Sequence, residues 1–482
     1  MSTNRRFLFD VLLLLFLNLL VKPFWIFGID RTVQNEVGSE NYGLYFALFN
    51  FSYLFNSLLD LGITNYNNRS VAREADFLKD NLTKLTGIKI GLGGLYLIVT
   101  LSVGWFLGYD GTEFQLLFFL TINQFLTSLL LFFRSNISGL QRFTWDSIAS
   151  VFDRLLLIGI CAYLIWGIDD RFQIEWLVYS QTASLLIATI LIGVIAHSMG
   201  SGLSFSLSRD YVITLLKNSL PFAFIILFMS MYSRLDAIML ERLLSDGKFY
   251  SGVYAHGYRI LDMLNNFTFL FTAILFPLLS RMLFQKEPIL DLIQLSIRLL
   301  FIPAGFVLLG GWFFREDIIH MLYSDPDAQS FTAFSWLMTS WLFLVMASLF
   351  GTVLTAAGEL KAMMVITGIS FVLNFVFNLF AIPDYQAEGA ALATLIAQAS
   401  CGLGTFIYCV YKGYIPHFGK LWIRFIPVML AAYILIDTLE VWTVPFWMLF
   451  GTSLVGYLLL VLFSGILSKS LLLEARRVIW KS

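Results

Sequence analysis

The sequence predicts an all-α integral membrane protein with about fourteen transmembrane helices, organised as two six-helix lobes plus two C-terminal helices. Three observations support this. Apolar residues make up 58% of the 482 and charged residues only 13%, about half the roughly 25% of a water-soluble domain. Apolar windows long enough to cross a bilayer recur along the whole chain. The basic residues between those windows fall mostly on one side of the membrane.

The windows lie at 7–29, 42–63, 87–108, 114–134, 146–167, 175–197, 218–241, 252–280, 290–313, 331–356, 362–382, 387–411, 422–437 and 443–467. None has the ten-residue alternation of a barrel strand, and backbone groups in hydrocarbon must pair within their own segment, so each window predicts a helix. The first follows Arg5 and Arg6 but is too long for the apolar region of a secretory signal and contains Asp10, Asn18 and Lys22; it reads as a span. After the sixth window the chain becomes rich in Ser and Gly and then amphipathic, from Ser198 to Lys217, which predicts a linker along the membrane surface. The expected organisation is an N-lobe over 1–198, the linker over 199–217, a C-lobe over 218–412, and the last two helices with a tail over 413–482.

Short repeats support the division. Gly43-Leu44-Tyr45 opens the second window and Gly252-Val253-Tyr254 the eighth; Gly139-Leu140-Gln141-Arg142 precedes the fifth and Gly358-Glu359-Leu360-Lys361 the eleventh. Six windows separate the members of each pair, so the two lobes face the same way, related by an axis along the membrane normal. One set of loops carries about twenty Lys and Arg, whereas the other carries Arg31, Arg171, Arg242, Lys248 and Arg315. The bias places both termini in the cytoplasm.

A net charge of −1 gives no reason to expect nucleic acid as a partner. Cys161, Cys401 and Cys409 lie in apolar stretches as small core residues, and the four histidines are scattered, so no metal is expected. No phosphate-binding GxxxxGK[ST] run is present and no loop exceeds about twenty residues, which predicts a protein that is not an enzyme and holds no cofactor.

Six basic residues fall inside the windows: Lys22, Lys89, Arg154, Arg234, Arg259 and Arg298. Each costs roughly 2.5–3.5 kcal/mol at a helix centre facing lipid, so a wet interior is their expected surrounding. Lys22, Arg234 and Arg259 stand about seven residues, roughly 10 Å, from the outer ends of their windows. Three cations at one level, drawn from both lobes, predict an anion site. The competing readings are an ion pair of Arg259 with Asp262, three residues on, and snorkelling of Lys22 to the interface. Lys89, near the start of its window, reads as interfacial. Arg154 with Asp153, and Arg298, form a second polar layer or snorkel inward. Asn374 and Asn378 are expected to hydrogen-bond to a neighbouring helix.

Several motifs carry a resemblance. Val37-Gly38-Ser39-Glu40-Asn41-Tyr42-Gly43-Leu44-Tyr45, then Leu59-Asp60-Leu61-Gly62 and Arg69, resemble the first two helices of Wzx-type polysaccharide flippases. GVYAHGYRILD from Gly252 is similar to that family's eighth helix, and Gly358-Glu359-Leu360-Lys361, Asn374, Asn378, Ile382-Pro383 and Gly389-Ala390-Ala391 to its tenth to twelfth. These flippases belong to the multidrug/oligosaccharidyl-lipid/polysaccharide exporter (MOP) superfamily, with the lipid II flippase MurJ and the MATE drug exporters. The chain has Asn35 where relatives often carry Arg, with Arg31 one turn earlier.

The resemblance implies paired lobes around a cationic cavity that holds the diphosphate of a polyprenyl-linked oligosaccharide, and alternating access that carries the sugar head group to the periplasmic leaflet. Arg259, Arg234 and Lys22 are the main candidates for diphosphate contact; Arg31 and Arg69 join them by position. Asp236 and Asp262 are candidate coupling groups. The lipid bilayer and the lipid-linked cargo are the expected partners, with a glycan polymerase or glycosyltransferases as further candidates. A MurJ-like lipid II flippase and a cation-coupled MATE-type drug exporter are the alternatives; the basic excess within the windows favours an anionic cargo.

Overall fold

The computed structural model describes residues 16–18, 20–61, 63–64, 67, 71, 76–140, 142–168, 170–199, 209–415, 419–441 and 444–466. Nearly all of them are helical, and no strand occurs among them. A π-helical turn, Trp25–Asp30, leads into α1 (Arg31–Leu54), which a 3-10 turn, Asn56–Leu59, follows. Next come α2 (Asp76–Phe106), α3 (Gly111–Gly139), α4 (Phe143–Trp166), α5 (Ile174–Met199) and α6 (Arg209–Leu243). The remainder comprises α7 (Gly247–Phe284), α8 (Leu290–Phe313), α9 (Arg315–Leu322), α10 (Ala328–Ala356), α11 (Leu360–Tyr411), α12 (Gly419–Glu440) and α13 (Phe446–Phe463). Among the described residues nine helices are long and apolar enough to cross a membrane. The chain is an all-α, multi-pass membrane protein, with large apolar side chains such as Trp166 and Phe380 left exposed on its helices.

Two rods are double. At 52 residues, α11 would be about 78 Å long if straight, more than twice a hydrocarbon core of roughly 30 Å. It breaks at Gln386, where φ is 45° and ψ −121°, just after Pro383. Gln329 of α10 supports the break: its Nε2 donates to Gln386 Oε1 at 2.7 Å, and its Oε1 accepts from the Ala387 amide at 3.0 Å, so the restarting helix has a partner for an orphan N–H. The other double rod runs through α1 and breaks at Gly38, with φ 76° and ψ 166°, a conformation that side chains disfavour. Divided at these two breaks, and with the eight-residue α9 set aside, the described helices make fourteen rods, matching the fourteen windows.

Boundaries differ from the windows because hydropathy sees only the apolar part of a helix, whereas backbone pairing continues through polar turns. The first rod runs on through Arg31, Gln34 and Glu36 to Gly38, so Arg31 lies in a helix rather than a loop. The third begins at Asp76 instead of 87, and the seventh already at Arg209. The second window was expected to continue to 63, but α1 stops at Leu54.

That early stop corrects the reading of Lys89. Its side chain is 1% exposed, and its ammonium donates to Leu59 O at 2.9 Å, Asp60 Oδ1 at 2.6 Å and Ser128 Oγ at 2.7 Å. Lys89 is therefore an internal staple and not interfacial. The unwound end of the first hairpin leaves a carbonyl and a carboxylate, and a buried ammonium with three donors answers both.

Cα packing divides the chain into two compact units, Met1–Ala255 and His256–Ser482. In the first, α3 is central and packs against α1, α2, α4 and α5, while α6 lies along α1. Leu126, Leu129, Leu130, Phe132 and Phe133 of α3 join Leu85, Leu185 and Ile192 in its apolar core. In the second, α10 is central and packs on α8, α9 and α11, while α12 and α13 pair and lean on α8. Trp341 is buried there and donates to Thr268 Oγ1 at 3.1 Å. The three cysteines are buried. Asn374 and Asn378 are buried too, and Asn378 Nδ2 donates to Asn374 Oδ1 at 3.2 Å along the same helix.

Candidate substrate site

In the first unit the break at Gly38 turns α1 back on itself. Below it on the incoming rod are Arg31, half-buried, and Asp30, only 2% exposed. Asp30 Oδ2 accepts from the Tyr42 hydroxyl at 2.8 Å, which pins the two arms together. The outgoing arm then crosses the start of α7 at Gly43 and Gly252. Gln34 Nε2 donates to Gly252 O at 3.3 Å beside the crossing.

Arg234 of α6 meets the lower part of the outgoing arm. Its Nη1 donates to Asn50 Oδ1 at 3.3 Å, and its guanidinium carbon lies 5.0 Å from the Tyr53 ring centroid. A planar cation laid over an aromatic ring and held by an amide is fixed in direction. Two residues on, Asp236 is 1% exposed and accepts from the Tyr254 hydroxyl at 3.0 Å. This repeats, with the seventh and eighth rods, the carboxylate and phenol arrangement of Asp30 and Tyr42. Arg234 and Asp236 thus reach different partners, as their two-residue spacing predicts.

Lys22 is not at the level of Arg234. The first rod continues to Gly38, so Lys22 stands about sixteen residues, roughly 24 Å, from that turn, instead of the seven residues expected. The charges acting on it are Arg154, Arg134 and Asp153. Arg31 stands about seven residues, roughly 10 Å, from Gly38, and Arg234 about nine residues, roughly 14 Å, from the end of α6. Counted from the rod ends, Arg31 has the spacing expected of Lys22.

In the second unit Arg259 and Asp262 are half-buried on one face of α7, and the Asp262 carbonyl accepts from Asn266 Nδ2 at 2.8 Å. Arg298 of α8 keeps a buried Nε without a hydrogen-bond partner among the described residues. Arg69 lies outside the described residues.

The sequence reading missed a charged cluster where α6 gives way to α7. Arg242 Nε lies 2.8 Å from Glu241 Oε2, its guanidinium carbon 3.6 Å from the Tyr109 ring centroid, and Tyr109 donates to Glu241 at 3.1 Å. Lys248 Nζ reaches Glu113 Oε1 at 2.6 Å. Arg242 and Lys248 were read only as loop cations that set orientation. The excess of charge in both turns is the signal that pointed to a contact, and no spacing rule links two turns that are distant in sequence. Asn50 was missed as well; one amide inside the run Phe46, Phe49, Phe51, Tyr53 and Phe55 is the clue.

Residues 11–283 match the family model described as polysaccharide biosynthesis protein, more than half of the chain. The chain belongs to that family. A second model, MatE, matches residues 221–380 of this polysaccharide biosynthesis family member. No curated protein matches it in sequence. Among solved structures it is similar to the lipid II flippase MurJ in an inward closed conformation, with 15% identity, 97% of this chain and 99% of that one covered, and a TM-score of 0.69. It is also similar to an inward-facing multidrug resistance MATE transporter of the MOP superfamily, with 13% identity, 80% and 94% covered, and a TM-score of 0.64. A MOP superfamily transporter from Pyrococcus furiosus, described as having a binding pocket of reverse polarity, aligns at 15% identity, 84% and 94% covered, and a TM-score of 0.59. These identities speak to fold, and the fold is that of MOP transporters. Family and fold agree with the resemblance carried by the motifs.

Proposed function

We propose that the protein is a flippase that carries a polyprenyl-diphosphate-linked oligosaccharide from the cytoplasmic to the periplasmic leaflet of the bacterial inner membrane, for surface polysaccharide synthesis. The observation that carries this reading is the set of half-buried basic side chains on membrane-spanning rods, foremost Arg234, aimed by Asn50 and Tyr53. Cations held away from bulk water are costly unless they face an anion or a wet cavity, and guanidinium groups suit the two-pronged geometry of phosphate oxygens. Arg259, Arg234, Arg31 and Arg69 are the proposed diphosphate contacts, with Asp236 and Asp262 as coupling groups; Lys22, the remaining candidate from the sequence, stands among Arg154, Arg134 and Asp153, apart from Arg234. The two lobes of the sequence repeat, related by an axis along the membrane normal, open alternately to either side, and both termini are cytoplasmic.

Arg234→Ala and Arg259→Ala are expected to abolish surface glycan export while the protein still inserts and folds. Export at the wild-type level in both variants removes the proposed diphosphate site. The likeness to MurJ over 97% of the chain favours a second reading, lipid II as cargo, which uses the same diphosphate chemistry. Rescue of a strain depleted of its lipid II flippase decides between them. Ethidium efflux that depends on this protein favours the MATE-type reading instead.

A further inference from the structure

A hydrogen bond from Asn18 Nδ2 to Ser150 Oγ at 2.9 Å ties the first rod to α4. One turn further along each helix stand Lys22 and Arg154, and residues four apart share a face. A turn beyond Lys22, the Arg154 guanidinium carbon lies 5.9 Å from the ring centroid of Trp25, which is buried. The two helices therefore run side by side in the same direction, and their shared seam presents one cation to another. Lys22 feels Arg154 and Arg134 as repulsive neighbours and Asp153 as the attractive one.

The carboxylates nearby do not balance this group. Arg134 is answered by Asp146, 2.9 Å from its Nε. Arg154 has Asp153, its chain neighbour, at 3.5 Å, with 40% of its own side chain exposed. Lys22 has neither a hydrogen bond nor an ion pair among the described residues. Among the described residues three cations face two carboxylates, so one positive charge is left over, within rods that cross hydrocarbon. Natural proteins keep such charges for a partner that supplies the missing anion. A phosphate brings both the negative charge and acceptor oxygens for a guanidinium fork and an ammonium. Trp25 lies against the guanidinium and restricts its direction.

We infer that Lys22 and Arg154, backed by Arg134, form a binding site for the phosphate of a membrane lipid, separate from the place of Arg234 beside Asn50 and Tyr53. Where that lipid is the polyprenyl carrier, the inference rests on the flippase reading, and the site is a first station that the diphosphate occupies on the way to Arg234. Where it is a phospholipid, the site stands without that reading and ties a bilayer lipid into the seam of the first rod and α4.

The full-length protein, purified and read by native mass spectrometry, is titrated with polyprenyl diphosphate, with phosphatidylglycerol and with unphosphorylated polyprenol. Lys22→Gln and Arg154→Gln are each expected to weaken at least one of the two phosphate lipids by about tenfold or more, and to leave polyprenol unchanged. Lys22→Arg keeps the charge and is expected to bind as the wild type does. The arm that shows the loss names the lipid. Undiminished binding of both phosphate lipids by the two Gln variants overturns the site, whatever Arg234→Ala does to export; conversely, loss of lipid binding in the Gln variants alongside wild-type export in both Arg234→Ala and Arg259→Ala keeps this site and removes the diphosphate contacts proposed at Arg234 and Arg259. If Arg154→Gln fails to fold, Lys22→Gln carries the test alone.

Discussion

Gly43 and Gly252 meet where α1 crosses the start of α7, each pressed against the other helix's backbone. A Cβ on Gly43 would stand 1.8 Å from the Lys248 carbonyl oxygen, and one on Gly252 1.9 Å from that of Ser39. The two glycines open the repeated GLY and GVY motifs. The repeat thus marks a contact in which the two copies touch each other.

Backbone cannot yield as a flexible side chain does, so Gly43→Ala and Gly252→Ala are each expected to push the helices apart, at about 1–3 kcal/mol. Because the two positions share one contact, the double variant should cost less than the sum. Thermal unfolding of the detergent-solubilised protein measures this, and additive losses would argue against a common crossing.

Lys89→Met removes the staple and leaves the Asp60 carboxylate and the Leu59 carbonyl without their cation. Breaking a buried pair by removing one partner typically costs about 3–5 kcal/mol. Asp60 is 33% exposed on its side chain, so the lower end of that range is expected. Asp60→Asn, which retains an acceptor for the ammonium, should cost less than Lys89→Met; the ranking is read from thermal or denaturant unfolding.

Tyr109, Glu241 and Arg242 join the α2 to α3 turn to the end of α6, and Lys248 with Glu113 joins α3 to α7. The second pair is partly exposed, at 40% and 22%, so its net worth is about 0–1 kcal/mol and falls with salt. Glu113→Lys is expected to weaken that junction and Lys248→Glu in the same chain to restore it. Disulfide trapping between cysteines placed in the two turns reports the distance in each variant. Failure of the double reversal to restore trapping would show that the pair is incidental.

The turn before α11 is held by Glu359, which accepts from Lys412 Nζ at 2.8 Å and from the Tyr408 hydroxyl at 3.1 Å. The hydrogen bond from Lys412 holds the Glu359 carboxyl below its ordinary range, and the bond to Glu359 raises the Lys412 ammonium above its own. A carboxylate with a lowered folded value stabilises the turn above its unfolded value, and that support is lost as pH falls through the lowered one. An ammonium with a raised folded value stabilises it below its unfolded value, and that support is lost as pH rises through the raised one. Hydrogen exchange at 356–360 is therefore expected to be slowest between these limits and to quicken on both sides. Glu359→Gln should remove the acid-side change.

Much of the architecture was legible because membrane physics leaves few choices. Backbone pairing in hydrocarbon requires helices, and each apolar window became a rod. The breaks at Gly38 and Gln386 were signalled by glycine and by Pro383. Arg234 was legible as a charge where charge is costly, but its partners Asn50 and Tyr53 were not, since contacts between distant helices leave no spacing in the chain. The level of Lys22 was misread because the rod continues through Asp30, Arg31, Gln34 and Glu36, which hydropathy counts as loop. α9 was missed because eight residues with a polar start fall below any spanning window.

The paired clamps, Tyr42 on Asp30 and Tyr254 on Asp236, give the molecule an internal control of its own. Tyr42→Phe and Tyr254→Phe make the same small change in two copies of one joint while the surrounding cations differ. A defect shared by both variants belongs to the clamp itself. A defect in one alone belongs to the charges around that clamp.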